Sequence, residues 1–246
     1  MQEIIQSKDN HRIKQIRKLK QKKYRTQTGY FLIEGQHLID EALSANQEIN
    51  TIIVSESFAP DNYDYPNMLF VSESVMATIS SLDTPPGIMA VVRYVPPKVT
   101  DRRVLMLEDI QDPGNMGTLI RSAAAFNFNK IYVSKYCVDV FSDKVLRSTQ
   151  GMIFKVDVEV VDLVESIKHF NGDVYMTSLE DAEPLEAVTL SDRNVAVVLG
   201  NEGSGVSPEL KELIDNSITI EMSPDIESLN VAVAGSIIMH HFKKNI

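Results

Sequence analysis

Three short stretches of the 246-residue chain carry side chains able to do chemistry. The loop "GNEGSGVSPEL" sets Asn201 and Glu202 among Gly200, Gly203 and Gly205, directly after the apolar run "NVAVVL". "DPGNMGTLIRSAAAF" holds Asn115 and, on the same expected helix, Arg121. "ESLNVAVAGS" sets Ser228 and Asn230 at the start of an apolar helix. A carboxylate accepts a proton or holds a cation, an amide both donates and accepts, and a guanidinium stays charged and stabilises a developing anion. Glycines let backbone N–H and C=O groups approach a ligand closely. The loop is not a phosphate site of either common kind. A P-loop needs a lysine inside it, and none occurs before Lys211. A dinucleotide fingerprint needs G-x-G-x-x-G after the first strand, whereas this loop reads G-x-x-G-x-G after a late one. A cationic or polar ligand without phosphate fits what is left. A tight β–α turn with no ligand is the plainer alternative for the loop alone.

The elements that must position these residues follow from periodicity. Residues 10–25 predict one helix, capped by Asn10, with Ile13, Ile16 and Leu19 as its apolar stripe. "YFLIEG", "INTIIVS", "NMLFVS" and "GIMAVVRY" read as strands, and "QHLIDEALSA" and "SVMATISSL" as helices. "VPPKVTDRR", Val95 to Arg103, joins two prolines to charge without apolar period and marks a boundary. A second series follows, with strands "VLMLED", "KIYVS", "KVDVEV", "DVYMTS", "NVAVVLG" and "SITIEM". Its helices are "NMGTLIRSAAAF", "SDKVLRST", "DLVESIKHF", "PELKELI" and "LNVAVAGSIIMHHF". Strands alternating with helices predict an α/β fold with mostly parallel sheets. Asn115 is expected to cap the helix on whose second turn Arg121 sits, beside the crevice where open α/β sheets bind ligands. Ser228 is the expected cap of the last helix.

Bulk properties narrow the partners. No apolar run reaches the roughly 20 residues that span a bilayer, and the N-terminus lacks a secretory pattern. The single cysteine, Cys137, excludes an internal disulfide framework and suits a reducing compartment, so a cytoplasmic protein is expected. Cys137 itself reads as a packing residue. His240 and His241, with Lys243 and Lys244, read as complements to a helix dipole. No metal-ligand spacing is present. Residues 1–25 hold nine Lys and Arg against Glu3 and Asp9, a net of +7, which leaves −17 on the remainder of a chain whose total is −10. A basic arm on an acidic body points to a polyanion partner, a solvated helix face being the alternative.

Together the three stretches resemble the SpoU/TrmH class of RNA ribose 2′-O-methyltransferases. "NMGTLIR" resembles the first motif of that class, "LGNEGSG" the second and "SLNVAVA" the third, in the same order and over about residues 102–246. The region of "YFLIEGQHLIDEAL" is similar to the small L30e-like substrate-binding domain fused to such enzymes. The resemblance implies domains 1–97 and 102–246, a C-terminal trefoil knot, a homodimer, and S-adenosylmethionine as methyl donor without any metal. It implies Asn115, Arg121, Glu202, Ser228 and Asn230 as the catalytic polar residues. It implies donor contacts at Gly200, Ile220 and Leu229, with Thr177, Leu199, Asn201, Gly203, Gly205 and Met222 around them. Glu221, where the class has proline, and Pro224-Asp225 depart from its pattern in the donor loop. RNA contacts are expected from Lys14, Arg17, Lys18, Lys20, Lys22, Lys23 and Arg25.

The implied reaction is in-line attack of a ribose 2′-hydroxyl on the sulfonium methyl, helped by fixing the two at about 3 Å. A guanidinium is a poor base, so Arg121 is expected to stabilise the developing alkoxide, with Glu202 or solvent taking the proton. The substrate class implied is RNA, with large-subunit rRNA ahead of tRNA. Two rivals stand beside this reading. A nucleotide-dependent oxidoreductase would need the missing dinucleotide fingerprint. A non-catalytic RNA-binding protein would have no need of the intact polar positions in all three motifs.

Overall fold

A computed structural model describes residues 3–58, 65–189 and 192–243. The chain begins with β1 (Ile4–Ile5), α1 (His11–Lys18), α2 (Lys22–Thr28), β2 (Tyr30–Glu34), α3 (Gln36–Ser44), β3 (Glu48–Ser55), β4 (Met68–Val71), α4 (Glu73–Ile79) and β5 (Ile88–Arg93). It continues with β6 (Arg103–Leu107), α5 (Pro113–Ala125), β7 (Lys130–Val133), α6 (Asp143–Thr149), β8 (Asp157–Val160), α7 (Leu163–His169) and β9 (Asp173–Thr177). It closes with β10 (Glu183–Pro184), β11 (Val195–Leu199), α8 (Pro208–Lys211), β12 (Asn216–Thr219) and α9 (Val231–Phe242). Lys244 lies outside the described residues.

Two compact units result, and they divide differently from the contiguous 1–97 and 102–246 expected. The first is Met1–Val95 together with Phe141–Phe154, and the second is Pro96–Val140 together with Lys155–Ile246. The returning segment belongs to the first unit through long-range packing. Phe141 stacks on Phe31 with ring centroids 4.8 Å apart and lies 5.2 Å from the Tyr94 ring. Gly151, at φ 82°, sits where a Cβ would fall 2.6 Å from Cβ of Glu41. No local pattern in "FSDKVLRSTQGMIF" reports such contacts.

The first unit has a mixed sheet in the order β1-β4-β3-β5-β2, with β5 antiparallel to both neighbours. The helix expected over residues 10–25 is broken into α1 and α2. A three-residue spacing drifts by about 60° per step around a helix of 3.6 residues per turn, so Ile13, Ile16 and Leu19 cannot share a face for long. The chain ends α1 at Lys18, buries all three residues in the core, and restarts after an extended Gln21. Two of the arm's cations serve this break. Lys20 Nζ donates to the carbonyls of Thr78 (3.3 Å) and Ser80 (2.5 Å), and Arg25 Nη1 donates to the Leu19 carbonyl (2.8 Å).

The second unit has the sheet order β10-β12-β9-β11-β6-β7-β8, with every neighbouring pair parallel. β11 is buried along its whole length, as the unbroken run "VAVVL" demands of a strand covered on both faces. β6 and β11 are neighbours, yet the chain leaves β6 toward β7 on one side and reaches β11 from β9 on the other. Loops leaving the C-terminal ends of such a pair diverge and open a crevice.

Candidate active site

The crevice after β6 and β11 is closed by hydrogen bonds from one carboxylate. Glu202 Oε1 accepts from the backbone N–H of Asp112 (3.0 Å) and from Asn115 Nδ2 (3.1 Å), and Oε2 accepts from the Gln111 N–H (3.1 Å). Asn115 Oδ1 in turn accepts from Asn230 Nδ2 (2.9 Å). The chain Asn230–Asn115–Glu202 therefore ties together one residue from each of the three motif stretches. Burial pushes the Glu202 carboxyl upward, but the bonds from Asp112, its own amide, Asn115 and Gln111 outweigh it and hold the group below the usual glutamate range.

Helix ends set this geometry. α5 starts at Pro113, and Asp112 rather than Asn115 caps it, its Oδ1 accepting from the Asn115 N–H (2.9 Å). The Asn115 amide is thereby released to bridge Asn230 and Glu202. Arg121 consequently lies on the third turn, not the second. It is exposed and makes no hydrogen bond or ion pair among the described residues. α9 is capped by Asn230 rather than Ser228, with Asn230 Oδ1 accepting from the N–H groups of Ala232 (2.9 Å) and Val233 (3.3 Å). α5 and α9 pack closely at Gly235, where a Cβ would meet Leu119 and Leu199 side chains at 2.6 Å.

The glycine loop is a closed ring. Asn201 and Gly205 exchange backbone hydrogen bonds of 3.0 and 2.9 Å. The Asn201 side chain is spent inside the loop, its Oδ1 accepting from the Gly203 (2.9 Å) and Ser204 (3.2 Å) amides and its Nδ2 donating to the Asp109 carbonyl (2.8 Å). A Cβ on Gly200 would fall 2.1 Å from Gly205 C, so ring closure requires that glycine, and Gly205 takes φ 68°. Gly203 is different. Its φ is not left-handed, and a Cβ there would have only an ordinary 3.5 Å contact with Asn201 Oδ1.

Several supporting residues escaped the sequence reading. Asp109 adopts φ 55°, uncommon outside glycine but tolerated by aspartate. This aims its carbonyl at Asn201 Nδ2 and at Gln111 Nε2 (3.1 Å), while its Oδ1 accepts from Ser134 Oγ (2.5 Å). Glu108 Oε2 accepts from the Ser207 N–H (2.8 Å). The only signal was the doublet "ED" at a strand end. Cys137 is buried, its thiol donates to the Leu107 carbonyl (3.3 Å), and burial pushes its pKa up, consistent with packing.

Beside the ring lies a cavity of about 400 Å³, within the range of small-molecule sites. Every residue expected at the donor site lines it: Thr177, Leu199, Gly200, Asn201, Gly203, Gly205, Ile220, Met222 and Leu229. Glu202 and Ser228 line it too, whereas Asn115, Asn230 and Arg121 do not. Glu221 and the turn at Pro224-Asp225 leave Ile220 and Met222 in the lining. Among the described residues no group of His, Cys, Asp and Glu could hold a metal ion, and no helix is long and apolar enough to cross a membrane.

Comparison with known proteins decides the family. Residues 102–240 match the model of the SpoU rRNA Methylase family. The chain belongs to the SpoU rRNA methylase family. Residues 10–90 also match the MRM3-like substrate binding domain, so both halves of this SpoU chain have counterparts. It is 35% identical over 245 residues to the 23S rRNA (guanosine(2553)-2'-O)-methyltransferase RlmP of Bacillus subtilis, covering 97% of this chain and 98% of the relative. It is 27% identical to the mitochondrial rRNA methyltransferase 3 of Xenopus tropicalis, covering 92% of this chain and 72% of that one. The AdoMet-bound rRNA methyltransferase from Sinorhizobium meliloti superposes with a TM-score of 0.85 at 26% identity, covering 99% and 98% of the two chains.

The clamp on Glu202 has a pH signature in this SpoU fold. A depressed folded pKa gives stability that is present above the unfolded value of about 4.3 and lost as pH falls through the lower folded value. Glu202→Gln is expected to lower stability at pH 7 by about 1 kcal/mol, discounted for its exposure. The gap should shrink as pH drops below about 4, where the wild type loses the same contribution. Thermal unfolding of both proteins across this window is the check, and parallel curves would refute the clamp.

Proposed function

We propose that the protein methylates a ribose 2′-hydroxyl of large-subunit ribosomal RNA, at the nucleotide corresponding to guanosine 2553, with S-adenosylmethionine as donor. The observation that carries the reading is the chain Asn230–Asn115–Glu202, which joins all three motif stretches and ends on a residue of the cavity. The substrate and nucleotide rest on the likeness to the Bacillus subtilis methyltransferase along nearly the whole of both chains.

The residues present fit the donor. The cavity sets two carboxylates, Glu180 and Glu202, against one ammonium, Lys211, and has apolar walls at Leu199, Ile218 and Ile238. That suits a cation carrying a flat aromatic base and no phosphate. Gly203 is a glycine that neither backbone conformation nor packing requires, which supports a ligand at its Cα. When bound, S-adenosylmethionine supplies an electrophilic methyl group on a sulfonium centre. The chain's own part is positioning and charge. Arg121 stabilises the developing alkoxide. Glu202, already holding its donors and of low basicity, orders the ring against the start of α5, so the hydroxyl proton leaves to solvent.

Family membership supports a trefoil knot and a homodimer. Val233 and Ile237, exposed on one face of α9 at 47% and 39%, support α9 as a subunit contact. The reducing compartment that one buried cysteine suits supports action in the cytoplasm.

Transfer of labelled methyl to protein-free rRNA, followed by mapping of the modified nucleotide, tests the reading. Label in tRNA alone, or none from a protein that binds the donor, would overturn it.

The basic helices add a second expectation. Arg17, Lys22 and Lys23 are exposed and Lys18 half-buried. Deleting residues 1–25 is not a clean test, because Ile13, Ile16 and Leu19 are core. Changing Arg17, Lys18, Lys22 and Lys23 to Gln should flatten the slope of log K for rRNA against log salt by roughly 3, at about 0.7–0.9 per contact. Donor affinity should stay the same. An unchanged slope in filter binding would leave these helices as a solvated face.

A further inference from the structure

The loop after β7 displays a large aromatic ring to solvent. Tyr136 is 69% exposed, more than any other large apolar side chain among the described residues, and Lys135 Nζ lies 5.9 Å from its ring centroid. Isolated exposed apolar side chains are common on protein surfaces. Here the backbone beneath the ring is held on every side. The Ser134 N–H donates to the Leu107 carbonyl (2.9 Å), the Cys137 N–H to the Ser134 carbonyl (3.2 Å), and the Val138 N–H to the Ile110 carbonyl (2.8 Å). Ser134 Oγ bonds Asp109, and the buried Cys137 thiol donates to the Leu107 carbonyl.

One further bond connects this loop to the reaction centre. Gln111 Nε2 donates to the Tyr136 carbonyl (2.6 Å), while the Gln111 backbone N–H donates to Glu202 (3.1 Å). A single residue thus joins the backbone that carries the exposed ring to the carboxylate beside the cavity. The ring also stands on the C-terminal rim of the parallel sheet, next to the loop after β6.

We infer that Tyr136, with Lys135 beside it, is the platform on which a base of the RNA substrate stacks next to the target ribose. The inference rests on the reading of the protein as an RNA methyltransferase. Exposed aromatics stack single-stranded bases irrespective of their identity, and an adjacent cation meets the phosphate that follows. A rigid loop wired to the reaction centre suits this task, since the stacked base would fix where its own ribose lies.

The chain contains no tryptophan, so Tyr136→Trp places a unique fluorophore on the platform. Titration of this full-length variant with protein-free rRNA fragments should quench its fluorescence, and S-adenosylmethionine alone should quench it little. In methyl-transfer assays Tyr136→Ala should raise the KM for RNA roughly 10-fold, the scale of one lost stacked base. Tyr136→Phe should behave as wild type, and donor affinity should be unchanged in all three. Unquenched tryptophan under RNA concentrations that saturate filter binding would overturn the inference. So would an unchanged KM in Tyr136→Ala, or a change in its sedimentation, which would mark the ring as a subunit contact. A wild-type protein that transfers no methyl would remove the parent reading instead, and the quenching would still decide whether a base stacks here.

Discussion

Gly200→Ala is expected to abolish donor binding. The added Cβ would stand 2.1 Å from Gly205 C and 2.2 Å from Val206 N, distances that no rotation relieves because both neighbours are backbone. To admit it, the ring must give up the paired Asn201–Gly205 bonds, and with them the Asn201 bonds to Gly203 and Ser204. Glu202 would lose its approach to Gln111 and Asp112. Overpacking alone costs about 1–3 kcal/mol, and at 1.4 kcal/mol per tenfold that is up to roughly 100-fold in affinity before the lost bonds are added. Calorimetry with S-adenosylmethionine should show no measurable binding, and the melting temperature should fall. Gly203→Val is the informative partner. Its Cβ has ordinary space and no left-handed φ to break, so the protein should melt like the wild type yet lose affinity through its approach to the ligand. A Gly203→Val protein with unchanged affinity would remove that glycine from the donor site. Wild-type binding by Gly200→Ala would mean that the ring is not what holds the donor.

The contrast between these glycines shows what was legible in the sequence. The strand–turn–helix pattern around "VAVVLGNEGSGV" was readable, because burial on both faces forces a continuous apolar run and a sharp turn forces glycine. Which glycine serves closure and which serves a ligand was not, since that depends on backbone distances across the ring. The polar residues were found as types in the right order, but their partners were not. Asn115 bonds Glu202 across 87 positions and Asn230 across 115, separations that no local periodicity reports. The two caps were misassigned for a related reason. Asp112 and Asn115, like Ser228 and Asn230, are both able to cap, and only the tertiary bond between the two asparagines decides between them. The break between α1 and α2 was present as a three-residue spacing that no straight helix keeps on one face, and this is the one correction the sequence could have supplied.

The same bonds reassign the work within the site. A carboxylate in a catalytic motif invites the role of base, yet Glu202 spends its oxygens on two backbone amides and Asn115 and is held below the ordinary glutamate range. Its energy goes into order, fixing the ring to the first turn of α5. Asn115 and Asn230 are neutral amides already joined to each other and to Glu202. Among the five catalytic residues the resemblance implied, the strongest uncommitted charge is Arg121.

Arg121→Lys is therefore expected to cut kcat for methyl transfer by roughly 100-fold or more while leaving fold and donor affinity intact. Arg121 is exposed, has no ion pair or hydrogen bond among the described residues, and does not line the cavity. Surface changes away from packed features move stability within about ±0.5 kcal/mol, so unfolding curves should overlay. Donor binding should be equal within error for the same reason. The rate is another matter. A planar guanidinium presents several fixed donors to an oxyanion and an adjoining phosphate at once, whereas an ammonium is a point charge on a flexible stem. Loss of one preorganised donor to a developing oxyanion costs about 10²–10³ in turnover. Arg121 stands six positions along α5 from Asn115, about 9 Å along the axis and on a different face. The proposed role of Arg121 is therefore exerted on the RNA and not through the hydrogen-bonded chain. If the loss appears in kcat with RNA KM little changed, Arg121 acts on the transition state. A loss confined to KM would make it an RNA anchor, and near wild-type turnover would strike it from the catalytic set.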